Sequence, residues 1–331
     1  MTTDNQQGTT NQGLIFAFRL DGKGGGSELT RDALRLPNKH GGLTWAHFDH
    51  QCPAARIWLE EHSALDPIVK DVLLTEDPRP RCEPHRDGLI LVLRGINPNP
   101  AEDSEDMVSL RLWLTPDRII STRHRRLLAA TDLKDAITAG KGPRDINEFV
   151  IQLLQILLDR MDEEVDLLNE KVDNLEHRLI DSDTANLRSD ISQTRRVAIS
   201  LRRYIAPMRQ AMNRFANEDI EWLTAQTRAN LREITDRLLK NVEDLDAIRE
   251  RASIIQEELS TRIAERMNET MYVISVCTAL FLPLGFLTGL LGINVGGMPG
   301  TDRDTAFWWV CGILLAITIL LSIGLKLRKW I

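Results

Sequence analysis

The residues best suited to chemistry form one stripe in an apolar segment near the carboxyl end of the chain. Small, hydroxylated and amide side chains recur there at spacings of three and four residues: Asn268, Met271, Ser275, Thr278, Leu282, Gly285 and Gly289. The stripe continues to Gly292, with Ile293 and Asn294 just beyond. Asparagine side chains contributed by several chains would form a ring of weak, neutral oxygen ligands, which can hydrogen-bond to the water around an ion. This chemistry suits divalent cations that dehydrate reluctantly.

The stripe also has a simpler interpretation. Small residues such as Gly285 and Gly289 allow membrane helices to approach closely, so part of the stripe is equally well explained by helix packing. Asn294 is harder to explain in that way. Cys277 lies in the first apolar segment but off the stripe, and we expect it to pack against a neighbouring helix. Cys311 lies in the second apolar segment and should face lipid or protein.

Two further sets of side chains could attract or bind cations. Eight carboxylates lie between Asp159 and Glu176. They form either a solvated helix face or a surface that collects divalent cations, for which the candidates are Asp159, Asp162, Glu163, Asp166, Glu170 and Asp173. The second set, His47, His50 and Cys52, has the spacing H-x-x-H-x-C and the ligand types that zinc prefers. A surface or capping role is the alternative for this second set.

Composition and motifs exclude several classes of protein. The chain has 331 residues, a net charge of −7 and four widely separated cysteines, which argues against a disulfide scaffold or a zinc ribbon. No P-loop, Gly-x-Ser-x-Gly or His-Glu-x-x-His motif occurs, so we expect no enzyme and no cofactor. The first twelve residues lack the basic start and apolar core of a signal peptide.

Two uncharged segments, residues 272–291 and 306–325, are long enough to cross a bilayer as helices. Arg262 and Arg266 precede the first segment, and Lys326, Arg328 and Lys329 follow the second. Because basic residues stay on the cytoplasmic side, both termini should be cytoplasmic. A single hairpin cannot enclose an aqueous path, so transport would require several chains around an axis.

The rest of the chain predicts a mixed α/β region followed by long helices, and the fold class is therefore α+β. Strand-like runs cover residues 14–18, 43–48, 89–93, 108–114 and 118–122, with helices near 54–62, 67–74 and 127–139. From about Asp145 the apolar residues follow spacings of three and four, which is typical of helices packed along one another. The expected organisation is a disordered tail (1–13), a cytosolic α/β domain (14–144), a long-helix stalk (145–270) and a transmembrane hairpin with an external loop and a basic tail (271–331).

The tripeptide Gly292-Ile293-Asn294, between two carboxy-terminal spans and ahead of a basic tail, resembles the Gly-Met-Asn signature of the CorA family of divalent-cation transporters. The resemblance extends over nearly the whole chain. It implies a homopentameric funnel in which the first span lines the pore and the tripeptide forms the entrance filter. Asn268, Met271 and Leu282 match the family's pore-lining and constriction positions.

The loop after the tripeptide departs from the magnesium-type pattern. Ile293 replaces the signature methionine, and glycine stands at both positions where an acidic residue is expected. In this respect, and in the run of residues 201–207, the chain resembles the ZntB branch of the family, which is associated with zinc movement across the bacterial inner membrane. We therefore expect an inner-membrane zinc transporter, with or without proton coupling, whose partners are divalent metal ions, lipid and copies of itself, and no nucleic acid. The alternatives are magnesium, cobalt or nickel uptake, or a membrane-anchored metal sensor or scaffold.

Overall fold

A computed structural model describes residues 13–35, 41–97, 106–180, 186–292 and 305–327. These residues form two compact units, which divide between Gln256 and Glu257. Ile293, Asn294 and the basic residues Arg328 and Lys329 lie outside the described residues. The proposed tail of residues 1–13 lies almost entirely outside them as well, and the predicted domain boundaries stay predictions.

The first unit contains a seven-stranded mixed sheet in the order β2-β1-β3-β7-β6-β5-β4. Strands β3 and β7 pair in parallel, and the other neighbours pair antiparallel. The strands are β1 (Leu14–Leu20), β2 (Gly26–Glu28), β3 (Thr44–Asp49), β4 (Arg81–His85), β5 (Gly88–Gly95), β6 (Val108–Leu114) and β7 (Arg118–Arg123). Every residue of β5 and β6 is buried, which explains the continuous apolar run of residues 89–93 in β5, whereas β6 carries the buried polar residues Ser109 and Arg111 among its apolar ones.

Helices cover both faces of the sheet. On one face, Phe48, Val92 and Ile120 form a core with α1 (Pro53–Ile57), the π-helical turn Trp58–His62 and α2 (Pro67–Leu74). On the other face, the ring of Trp45 meets that of Phe149 edge-on, with 4.9 Å between the centroids.

Four helices follow the sheet: α3 (Leu128–Thr138), α4 (Ile146–Ile180), α5 (Leu187–Asn217) and α6 (Ala225–Leu291). The apolar residues that predicted helix packing are buried on α4, namely Met161, Val165, Leu168, Val172, Leu175 and Leu179. The corresponding residues of α5, from Ile191 to Met208, are also buried. The structure thus confirms the predicted sheet domain followed by long helices.

The second unit contains the carboxyl half of α6 and α7 (Ala306–Leu327). Both helices contain a stretch that is long and apolar enough to cross a membrane. Partly shielded side chains recur on one face of each helix, for example Val276, Leu280 and Leu287 on α6, and Leu314 and Leu321 on α7. This regular shielding indicates that the two segments pack together along these faces, as in a hairpin.

Candidate ion pathway

The stripe of polar and small residues lies on the side of α6 that α7 leaves open. All its described members, from Asn268 to Gly289, are exposed. At 3.6 residues per turn, the centre of the stripe is about 160° around the helix from the partly shielded residues Val276, Leu280 and Leu287. The single chain therefore leaves this face available for an aqueous path or for other chains.

The hydroxyl groups of the stripe are already oriented by the helix. Ser275 donates a hydrogen bond to the carbonyl oxygen of Met271, and Thr278 donates one to that of Ile274, both at 2.8 Å. Because each hydroxyl donates its hydrogen to a backbone carbonyl, the lone pairs of its oxygen remain free to accept a hydrogen bond from a donor outside the helix. Such oxygens can accept hydrogen bonds from the water that surrounds a cation.

The glycines of the stripe are not required by the contacts within one chain. A Cβ atom added to Gly285 or Gly289 would meet no described atom within 4 Å. Contacts between α6 and α7 therefore do not explain these residues.

Gly292 lies at the end of α6. Its amide donates to the carbonyl oxygen of Thr288 at 2.9 Å, and an added Cβ would lie 3.1 Å from the same oxygen. The other two members of the proposed filter, Ile293 and Asn294, follow directly and lie outside the described residues. The filter assignment stays a prediction.

The acidic face of α4 is partly neutralised by arginines of α6. Arg237 donates to Asp159 at 2.7 Å and to Asp162 at 2.6 Å, and Asn241 donates to the second oxygen of Asp162 at 2.7 Å. The hydrogen bonds that Arg237 donates to the two carboxylates raise its pKa. These carboxylates hold the helices together in addition to any role in attracting cations.

The same arrangement recurs fourteen residues further along both helices, where Arg251 takes the place of Arg237. It donates to Asp173 at 2.5 Å and to both carboxylate oxygens of Glu176 at 2.9 Å. The hydrogen bond from Arg251 lowers the pKa of Glu176. Sequence reasoning missed both arginines, although their spacing of fourteen residues, two heptads, matches that of the acidic residues they contact.

The other acidic candidates, Glu163, Asp166 and Glu170, are exposed and form no ion pair with any residue that the structure describes. No group of three or more histidine, cysteine or acidic side chains within the described ranges has the geometry to hold a metal ion. A cation-collecting surface on α4 would therefore act through its charge rather than through a preformed coordination site.

The structure does not bring His47, His50 and Cys52 together as a metal site. His47 is fully buried on β3, where its Nδ1 hydrogen-bonds to Ser121 Oγ at 2.8 Å, and burial lowers its pKa to about 3. His50 is also buried, and burial, followed by the charge of Arg111, lowers its pKa to about 4. Cys52 is half-buried immediately before α1. These positions suit roles in the sheet core and its edge.

The two remaining cysteines occupy different positions. Cys277 on α6 is exposed, whereas Cys311 lies on the partly shielded face of α7. Our expectation that Cys277 packs against a neighbouring helix is therefore not met within one chain.

The chain is similar to known proteins over most of its length. The sequence profile of the family described as CorA-like Mg2+ transporter protein matches residues 40–327. The divalent cation transporter CmaX of Pseudomonas aeruginosa is 39% identical over 306 residues, 91% of both chains, and the zinc transport protein ZntB of Yersinia enterocolitica is 32% identical over 318 residues, 96% of both chains.

Solved structures show the same fold. The structure of full-length CmaX covers 98% of this chain and all of its own, with a TM-score of 0.84 and 36% identity. The CorA magnesium transporter of Methanocaldococcus jannaschii covers 96% of this chain and 99% of its own with a TM-score of 0.80, but at 16% identity it supports the fold alone. The match of the family profile and the full-length relatives show that the chain belongs to the CorA family and is a membrane transporter of divalent cations.

Proposed function

We propose that this protein moves zinc through a pore formed by five copies of the chain, with the stripe of α6 facing the axis. The observation that carries the proposal is the position of the stripe, which is exposed and lies opposite the face shielded by α7. If α7 occupies the outer side of each hairpin, several copies of α6 can surround an aqueous path. Closed cyclic symmetry is the usual way to build such a ring.

The chemistry of the stripe favours a cation that keeps most of its water. From Asn268 to Gly289 it offers an amide, hydroxyl oxygens and a thioether, with no carboxylate or imidazole. Binding at such groups is weak, and conduction requires sites that release the ion as readily as they accept it. Asn294 would complete the path as a ring of amide oxygens at the external entrance, with both termini in the cytoplasm of a bacterial cell and the spans in its inner membrane.

Zinc as the transported ion is supported by the relatives named zinc transport protein ZntB and by the loop that follows Asn294. Glycine at the two acidic positions of that loop removes the charge that would attract magnesium most strongly. The alternative within the family, magnesium, cobalt or nickel uptake, is supported by the family description and by CmaX, whose name specifies no single metal.

A second class, a membrane-anchored sensor or scaffold, is supported only by the exposed carboxylates Glu163, Asp166 and Glu170 on α4. A sensor would need the acidic helix and an anchor, but no polar face on α6. Metal flux through the purified protein distinguishes the two classes.

The test is uptake of zinc and of magnesium into liposomes that contain only the purified full-length protein, with and without a pH gradient. We expect zinc to enter faster than magnesium. Cobalt, nickel and cadmium should compete with zinc, because hydrated ions are poorly discriminated. Faster uptake of magnesium than of zinc would favour the alternative function, uptake of magnesium, cobalt or nickel. Absence of any metal flux from correctly assembled protein would refute the transport mechanism itself.

A further inference from the structure

The first unit has an exposed acidic face on α4 with an apolar residue at its centre. The face consists of Glu163, Leu167 and Glu170, whose spacings of four and three residues place them on one side of the helix. Glu163 and Glu170 form no ion pair within the described part of the chain. Leu167 is 51% exposed. An exposed leucine between two carboxylates has no structural role in a single chain.

An exposed basic face on α5 has the same pattern with the opposite charge. It consists of Arg196, Ile199 and Arg203, spaced by three and four residues, and Ile199 is 47% exposed. The helix carries seven arginines and a single carboxylate, Asp190, which accepts a hydrogen bond from Arg178 of α4 at 2.7 Å. The positive charge of the basic face is therefore not offset by carboxylates of its own helix.

The two faces do not cover each other within one chain, although their helices are neighbours. The contact between Arg178 and Asp190, close to the turn that joins α4 to α5, shows that the two helices run antiparallel. They pack through other residues, which are buried, while Leu167 and Ile199 each keep about half of their surface exposed. The acidic and basic faces thus point away from the contact between α4 and α5.

The two faces nevertheless lie at the same height along the helix pair. In an antiparallel pair, each step from Arg178 toward the start of α4 is matched by an equal step from Asp190 toward the end of α5. Eleven steps lead to Leu167 on α4 and to Leu201 on α5, which is two residues, or about 3 Å, from Ile199. The flanking charges obey the same relation, so that two further pairs are level to within about 3 Å: Glu163 with Arg203, and Glu170 with Arg196.

We propose that the acidic face of one copy packs on the basic face of the next copy around the ring. The apolar residues then meet at the centre and the charges pair on either side: Leu167 with Ile199, Glu163 with Arg203, and Glu170 with Arg196. This contact rests on the ring of chains proposed above. Rotation about an axis does not change the height of a residue along it, so for helices that run along the axis, faces that are level in one chain are level in neighbouring chains.

A second copy fits these faces better than a lipid surface does. Each copy would use its acidic face toward one neighbour and its basic face toward the other, so a closed ring covers both faces of every chain. Anionic lipid would attract the basic face alone. It would leave Leu167 and the carboxylates beside it exposed.

Cross-linking between two full-length variants tests the central contact. One variant carries Leu167→Cys and the other Ile199→Cys, and the accessible native cysteines are replaced by serine in both: Cys52, Cys277 and Cys311. When the two are coexpressed and treated with a short bifunctional maleimide, we expect a covalent dimer, with none from assemblies of either variant alone. The control replaces Ile199→Cys by Asn213→Cys, which is exposed and about 21 Å farther along α5, and should give no dimer.

The mass of the assembly separates a failure of this contact from a failure of the ring. Absence of the dimer between Leu167→Cys and Ile199→Cys, in protein that has the mass of five chains, would overturn the contact and leave the proposed function intact. Protein that transports metal as a monomer or dimer would overturn both.

Charge reversal tests the pairs on either side. The acidic-face variant Glu163→Arg, Glu170→Arg should lower the temperature at which the oligomer dissociates in detergent by about 5 °C, because two attractive contacts at each interface become repulsive. The basic-face variant Arg196→Glu, Arg203→Glu should have a similar effect. Combining all four substitutions exchanges the signs of the two faces and should restore most of the lost stability.

Two results of charge reversal would contradict the pairing. One is a folded fourfold variant that is no more stable than either parent. The other is an unchanged oligomer in the acidic-face variant, combined with loss of binding to phosphatidylglycerol vesicles in the basic-face variant, which would assign the basic face to lipid. Should the basic-face variant fail to fold, the cross-link between Leu167→Cys and Ile199→Cys decides.

Discussion

Replacing Gly289 by leucine separates the two interpretations of the stripe on α6. No described atom lies within 4 Å of a Cβ atom at this position, so the side chain meets nothing in its own chain. The helix itself should gain about 0.8 kcal/mol, because leucine favours a helix interior more than glycine does. Any loss of function must therefore come from what lies across the stripe.

In a ring of chains, each leucine would add four carbon atoms to an aqueous path. Apolar constrictions close such paths by excluding water, and an added barrier of only about 1.4 kcal/mol reduces flux tenfold. We expect zinc uptake by Gly289→Leu in liposomes to fall at least tenfold, with Gly289→Ala intermediate. The matched control is Gly312→Leu on α7, where an added Cβ also meets no described atom and where we expect near-normal uptake.

The state of assembly must be measured with the flux. If Gly289→Leu retains its assembly and loses flux, the stripe lines the path. If the variant no longer assembles, Gly289 serves packing between chains, which is a common role of small residues in membrane helices. Normal flux through a correctly assembled Gly289→Leu protein would refute the pore-lining assignment.

Four further predictions address the filter, the assembly, the metal chemistry and the helix contacts. Asn294→Ala should lose most transport while its assembly is retained, because methyl groups would replace the polar ring; normal flux would contradict the filter. The mass of the purified protein in detergent should be that of five chains, and a monomer or dimer that still transports would exclude the ring. Zinc uptake by the double variant Cys277→Ser, Cys311→Ser should be near normal, since a hydrated ion needs no thiolate; loss of most flux in a stable protein would place sulfur in the path. Arg251→Gln should lower the free energy of unfolding at pH 7 by about 1 kcal/mol, a value reduced for the partial exposure of both partners. Because Arg251 lowers the folded-state pKa of Glu176, this stabilisation is present above the unfolded pKa of about 4.3 and is lost as the pH falls through the folded value. The difference between the variant and the wild type should therefore vanish in urea titrations at acidic pH, and a constant difference would contradict the ion pair.

The sequence predicts the long helices and the central strands well because their apolar residues are regular. Two strands were not anticipated. β4 contains Pro84 and charged residues, features of a loop, but it lies at the edge of the sheet, where a missing amide donor is tolerated. The pairing of β2 with β1 begins at Gly26, inside a segment that reads as a turn.

Other features depend on tertiary contacts that no local pattern reveals. A proline inside a helix usually breaks or bends it, yet α5 continues past Pro207 to Asn217, since its buried face packs against neighbouring elements. Likewise, Arg94 and Arg111 lie in strands that otherwise read as apolar, and the sequence gives no indication that both are buried. The stripe on α6 could be identified from spacing alone, whereas its position opposite α7 required the structure.

The repeated contacts of Arg237 and Arg251 limit how α4 and α6 can move past each other. The two contacts are fourteen residues apart, or about 21 Å along each helix. A slide of α6 by a single turn, about 5.4 Å, would move both arginines away from their carboxylates at the same time. Within the first unit, the pair of helices therefore has one preferred register, and a signal that reaches α6 from the sheet is better carried by rotation or tilt of the two helices together than by sliding of one along the other.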